Sequence, residues 1–188
     1  KNEGDLLPLS QGSSLAIIGS FAKQPRFQGA GSSQVTTTQI DSAWHTLTEE
    51  GWQISYASGY ELDGTTSMAL LKEAEGVAAK ADIVLLFAGL PGRYESESFD
   101  REHIDLPGGH QRLIEAVASA NNQTVVVLTN GSAVTMPWID QVLCVMEGWF
   151  GGQAGGSAIV DVLTGKVNPS GKLSETFPKR LEDCPAYL

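Results

Sequence analysis

Cysteine is nearly absent from this chain. It has two in 188 residues, Cys144 and Cys184, too few for a disulfide framework. Neither has a second Cys or a His at metal-ligand spacing, and the three histidines, His45, His103 and His110, are scattered, so no metal site is expected. Cys144 sits in the apolar stretch Val142–Met146 and reads as a small core residue. Basic residues are scarce as well: 12 against 22 acids, a net charge of -10. Binding to nucleic acid or to an anionic membrane needs clustered Lys and Arg, so neither partner is expected. No apolar run approaches the ~18 residues of a membrane span, and no signal-peptide pattern opens the chain. A start at Lys1 in a polar segment and an abrupt end, "PKRLEDCPAYL", read as the ends of a piece of a longer polypeptide.

What remains fits one soluble domain. The hydrophobic fraction is 41%, ordinary for a globular protein, and a chain of this length buries roughly 70% of its unfolded surface. Five short apolar runs, 15–20, 52–57, 82–89, 124–131 and 141–149, read as strands. Their consecutive apolar positions suit strands covered on both faces, the parallel-sheet pattern. Helical periodicity lies between them: Ile40, Ala43, Trp44 and Leu47, with Thr38 and Asp41 at capping-box-like spacing; Leu70, Ala74, Val77, Ala78 and Ala81; Leu113, Val117 and Ala120; and Ala158, Ile159, Val162 and Leu163, stopped by Gly165. Strand alternating with helix predicts an α/β fold, a three-layer sandwich whose mostly parallel, doubly wound sheet carries helices on both faces. The segment "GKLSETFP" (171–178) predicts one further, antiparallel edge strand.

Ligands of such sheets bind outside the carboxyl ends of the strands. The third run is followed there by "RYESESFDRE" (93–102), with Glu95 and Glu97 two residues apart. In extended chain they would point the same way, and a carboxyl group held protonated in a cleft is what a general acid needs. The same residues also read as a solvated loop paired with Arg93 and Arg101, and Arg101 as a fork onto Glu97 or Asp100. The glycine-rich stretches "GAGSS" (29–33) and "GGQAGG" (151–156) lack the patterns of phosphate-binding loops and read as tight turns and close packing. No cofactor is expected. No Gly-x-Ser-x-Gly elbow occurs, so a serine triad is unsupported. Trp138, Trp149 and Phe150 fit either stacking on a sugar face or packing in the core or an interface.

The order of motifs "LLPL", "LAIIGSFA", "GAGSSQV", "ADIVLLFAGLPGRYESESFDRE", "IDLPGGHQRLIEAV", "VVVLTNGSAVTMPW" and "EGWFGGQAGGSAIVDVLTGKVNPSGKLSETFP" resembles the C-terminal α/β-sandwich domain of glycoside hydrolase family 3, the β-glucosidase and β-xylosidase family. The likeness implies that 1–188 is that domain. Residues 1–12 would be a linker from an N-terminal (β/α)8 barrel in cis, and 179–188 the start of a further C-terminal segment. It implies a retaining β-glucosidase acting on terminal β-D-glucosides, with the nucleophilic aspartate on the barrel, the general acid/base on this domain, and no activity in this domain alone. The family pattern E-x-E-G-[YF]-D-R falls on Glu95–Arg101. It assigns the acid/base to Glu97, with Glu95 as the fallback, and makes Asp100 and Arg101 loop-structuring residues. Ser98 departs from the pattern, standing where glycine is usual. Trp149 and Phe150 would line the aglycone side or pack against the barrel. The alternatives are a β-xylosidase, a non-catalytic binding module, or a flavodoxin-like nucleotide binder. A bacterial cytoplasmic setting and self-association of the isolated domain are also expected.

Overall fold

The structure, a computed structural model, describes residues 1–187. Leu188, last residue of the expected 179–188 segment, lies outside them. Five strands, β1 (Leu15–Ile18), β2 (Ile54–Ala57), β3 (Ile83–Gly89), β4 (Thr124–Thr129) and β5 (Cys144–Glu147), form one sheet in the order β2-β1-β3-β4-β5. All four pairings are parallel. Every residue of β1, β3 and β4 is buried, which matches their unbroken apolar runs. β2 is an edge strand and only Ala57 is buried in it, so "WQISYA" is less covered than its run implies. Four helices, α1 (Ala43–Glu49), α2 (Met68–Ala78), α3 (Gly108–Ala120) and α4 (Gly155–Leu163), pair off as α1 with α4 and α2 with α3. The layers are those of an open α/β sandwich. No helix is long and apolar enough to cross a membrane among the described residues.

Two local expectations are corrected. The first helix begins at Ala43, not near Thr38: the Ser42 side chain accepts from the His45 N–H. Asp41 is occupied elsewhere, its N–H donating to the Gln153 carbonyl and its carboxylate accepting from Ser157 Oγ, and Ile40 is left outside the helix and exposed. The expected strand over 171–178 does not form, and the sheet is wholly parallel. The free edge of β5 is already used by the other end of the chain, where Asn2 pairs antiparallel with Cys144. The Glu3 N–H donates to the Leu143 carbonyl and the Val145 N–H to that of Lys1. An edge so covered offers no ladder to a sixth strand. Leu6 and Leu9 are buried in the core, so much of 1–12 packs on the domain. Cys144 is buried, its thiol directed at Asn2 Oδ1 at 2.9 Å.

The close-packing reading of "GGQAGG" finds its reason at Gly156. A Cβ there would strike the Asp41 carbonyl and lie 2.7 Å from Ser42 Cα, so α4 approaches the start of α1 only because the residue is glycine.

At the carboxyl edge the buried Tyr60 ties three strand exits together. Its hydroxyl donates to the Phe87 carbonyl at 2.9 Å and accepts from the Phe21 N–H at 3.1 Å, while its own carbonyl accepts from Ser20 Oγ. His110 packs on it with ring centroids 3.9 Å apart and accepts the Gly89 N–H at Nδ1. Burial pushes the imidazole down to about 4, so it is a neutral core residue. The unfolded chain, with an ordinary histidine, binds the proton first. His110 therefore supports the fold fully above about pH 6.5, and that support is lost as pH falls through about 4. Measured by denaturant unfolding, the stability difference between wild type and His110→Gln should move toward the variant by about 3 kcal/mol between pH 7 and pH 4.

Candidate active site

The order β2-β1-β3-β4-β5 reverses direction between β1 and β3. At such a switch point the loops leaving two adjacent strands diverge and open a crevice at the carboxyl edge. Here the two loops are "GAGSS" after β1 and "RYESESFDRE" after β3, and they meet. Ala30 and Ser96 form a parallel bridge, and the Ala30 N–H donates to the Glu95 carbonyl. Gly31, at φ +90, lies so close that a Cβ on it would sit 2.7 Å from Glu97 Cβ. Only glycine allows both the backbone angle and the approach.

The two glutamates do not point the same way. Glu95 turns inward, its Oε1 accepting the Gly131 N–H at 2.7 Å and the Ser132 hydroxyl at 3.3 Å in the loop after β4. It is half-buried, and burial pushes its carboxyl up despite these donors and the nearby Arg101 and Arg26. Glu97 turns outward. It is exposed, and its Oε2 accepts both the Ser32 N–H, at 3.1 Å, and the Ser32 hydroxyl. Those two donors hold its carboxyl below the usual range. Neither glutamate is in an ion pair among the described residues.

The divergence follows from a turn. The Phe99 N–H donates to the Ser96 carbonyl, which makes Ser96–Phe99 a β-turn with Glu97 at its tip. Ser98 stands at the third position with φ 64, the left-handed conformation that glycine takes freely and that costs another residue about 1 kcal/mol. The departure from the family pattern at Ser98 thus leaves a glycine-type backbone in place.

Arg101 does not fork onto Glu97 or Asp100. Its Nη2 donates to Ser132 Oγ at 2.9 Å and to the Ala133 carbonyl at 3.3 Å, because the turn carries it toward the β4 loop that also holds Glu95. Asp100 is exposed and makes no side-chain hydrogen bond among the described residues. Trp138 is wholly buried. Trp149 and Phe150 are partly exposed: Trp149 stands edge-on to Phe177 at 5.8 Å, and Phe150 lies under the Arg26 guanidinium at 5.0 Å and against Gly131. An open cleft of about 540 Å³ lies nearby between Phe21, Arg26, His45 and Leu62, and neither glutamate lines it.

Two residues of this region are not evident from sequence. Ser32 was legible only as part of a glycine-rich loop. Glu147, the last residue of β5, is a carboxylate at the end of an apolar run, and that position is the one signal it gave. Its Oε1 accepts the Trp149 N–H at 2.9 Å and its Oε2 the Asn130 side-chain amide at 3.3 Å. Burial outweighs these donors, with Glu95 and Glu175 adding to it, and pushes the carboxyl up to about 7. No group of His, Cys, Asp and Glu suited to a metal occurs among the described residues.

The sequence as a whole matches the model of the glycosyl hydrolase family 3 C-terminal domain across residues 1–188. The chain belongs to that family. It is 49% identical, over all of its length, to the thermostable beta-glucosidase B of Acetivibrio thermocellus. It is 43% identical, again over its full length, to an exo-alpha-(1->6)-L-arabinopyranosidase of Bifidobacterium longum. Among solved structures it matches the family 3 beta-glucosidase of Bifidobacterium adolescentis with a TM-score of 0.93 and 45% identity, over 98% of this chain and 27% of that one. The chain spans about a quarter of the length of the curated relatives it matches.

The raised Glu147 carboxyl has a consequence for the family 3 domain's stability. Between about pH 4.5 and 7 the folded state binds a proton that the unfolded state has released, so Glu147 supports the fold at low pH and the support is lost as pH rises through about 7. Relative to wild type, Glu147→Gln should gain roughly 2 kcal/mol between pH 5 and pH 8, read from urea midpoints. This slope runs opposite to that of His110, so the two variants separate contributions that partly cancel in the wild-type curve.

Proposed function

We propose that this domain supplies the general acid/base, Glu97, to a retaining β-glucosidase whose nucleophilic aspartate lies on an N-terminal (β/α)8 barrel in cis. One observation carries the assignment: of the two glutamates in the loop at the switch point, Glu97 alone presents its carboxyl outward from the turn tip, while Glu95 places Oε1 on Gly131 and Ser132 and keeps Oε2 buried without a partner among the described residues. Glu95 therefore acts as a brace that ties the β3 loop to the β4 loop. Trp149 and Phe150 flank the same edge and would meet the aglycone side.

In the first half-reaction Glu97 protonates the departing glycosidic oxygen while the aspartate attacks the anomeric carbon. In the second it takes a proton from the water that releases the sugar. A general acid at neutral pH needs a raised carboxyl, whereas the Ser32 donors hold this one down. A second carboxylate about 5–5.5 Å away, as retaining enzymes place it, supplies the opposing push. The reading thus requires the barrel for the protonation state as well as for the nucleophile, and the domain alone is inactive.

The glucoside preference rests on the Acetivibrio relative's name. The arabinopyranosidase at 43% identity favours a second reading, an α-L-arabinopyranoside substrate, and paired assays with nitrophenyl β-D-glucoside and α-L-arabinopyranoside decide between them.

In the full-length protein, Glu97→Ala should lower kcat/KM on an unactivated glucoside between about a hundred- and ten-thousand-fold, with azide restoring turnover of an activated substrate as a glycosyl azide. Glu95→Gln should show no azide rescue. Wild-type rates in Glu97→Ala would remove the assignment. The carboxyl-edge loops also expose Val35, Leu62 and Phe99, at 67%, 48% and 70%, which fits a face covered in the full-length protein. Sedimentation of the isolated domain should accordingly show self-association that weakens when Phe99 is changed to Ser.

A further inference from the structure

The contact between Ser32 and Glu97 is one-sided. Both donors, the backbone N–H at 3.1 Å and the hydroxyl, converge on Oε2, and Oε1 has no hydrogen-bond partner among the described residues. The serine is delivered by a loop with little freedom at this point: Ala30 is bridged to Ser96, Gly31 lies against the Glu97 side chain, and the Gln34 N–H closes a turn onto the Gly31 carbonyl. The partner strand of that bridge belongs to the same loop that carries Glu97, so serine and glutamate are set relative to each other by backbone pairing.

We propose that Ser32 is the positioning residue for Glu97: it pins Oε2 across the β1–β3 crevice and leaves Oε1 as the oxygen that gives and takes the proton. The inference rests on Glu97 being the acid/base. Its chemistry is consistent in both halves of the cycle. With the proton on Oε1, Oε2 is the carbonyl oxygen and still accepts from both Ser32 donors. When Oε1 has passed its proton to the departing oxygen, the carboxylate keeps the same two bonds. The proton taken from water then returns to Oε1. The side chain does not need to rotate between the half-reactions, and the proton has one site to occupy. Because the hydroxyl favours the ionised form, it also makes the acid easier to deprotonate.

The test uses the full-length enzyme with Ser32→Ala, Ser32→Thr and Glu97→Ala, each assayed on an alkyl glucoside, which needs an acid, and a dinitrophenyl glucoside, which does not. Ser32→Ala should lose on the order of tenfold on the alkyl glucoside and much less on the dinitrophenyl one. The alkaline limb of its kcat/KM profile should move to higher pH, because an acid without its hydroxyl donor holds its proton longer. Ser32→Thr should restore both. An alkaline limb unmoved in Ser32→Ala, or equal losses on both substrates, would overturn the positioning role while leaving Glu97 as acid/base. If Glu97→Ala itself keeps wild-type rates on the alkyl glucoside, the underlying assignment fails, and this inference with it. Ser32 is exposed, so the unfolding midpoint of Ser32→Ala should match wild type and separate a kinetic defect from a folding one.

Discussion

The parallel pairing of β1 with β3 is the constraint from which the rest of the domain's organisation follows. The register Leu15↔Ile83 to Ile18↔Leu86 joins two strands that are distant in the chain and wholly buried. Because β2 has gone to the other side of β1, the exit loops of this central pair are free to meet each other. Tyr60 and His110 fasten those exits from beneath, through the Phe87 carbonyl, the Phe21 N–H and the Gly89 N–H. The loops above can then pair as Ala30 with Ser96. A strand pairing in the core therefore sets, within a few residues, where an exposed carboxylate stands.

Two glutamates separated by one serine meet different physics on this platform. Glu95 is drawn toward the backbone N–H of Gly131 and is partly desolvated, so burial raises its carboxyl. Glu97 stays in water and meets two donors, so its carboxyl falls. The turn between them makes the difference, and the turn depends on Ser98 holding a positive φ. Groups whose environments push their carboxyls apart are natural candidates for distinct roles. On the proposed reading, the difference separates a brace from a group free to react.

The fold was legible because hydrophobic periodicity reports burial, and burial here is uniform in the central strands. All five strands and four helices lie where the apolar runs and the 3.6-residue spacings put them. The errors lie where a long-range contact overrides local pattern. Asp41 is claimed by Gln153 and Ser157, which moves the helix cap to Ser42. The N-terminal residues take the edge of β5, and 171–178 forms no strand. At the site, the acidic loop and its place after β3 were readable from the chain. The opposite directions of Glu95 and Glu97, the reach of Arg101 to Ser132 and the seat provided by Ser32 were not. Each joins residues about 30 to 65 positions apart, and no window of sequence contains both partners.

On the proposed reading, the domain carries a carboxylate tuned in the wrong direction for its first task, and this is informative about how the whole site works. A glutamate already raised by burial would hold its proton in the isolated domain, with no partner charge needed. A glutamate lowered by Ser32 stays ionised at neutral pH and becomes an acid only while a second negative charge stands close by. In a retaining enzyme that charge is present before the glycosyl intermediate forms and is consumed when it does. The nucleophile would thus raise Glu97 when a proton must be given and release it when one must be taken. The Ser32 contact sets the low resting point from which that cycle operates, so the division of the site between two domains would be part of how the proton is timed.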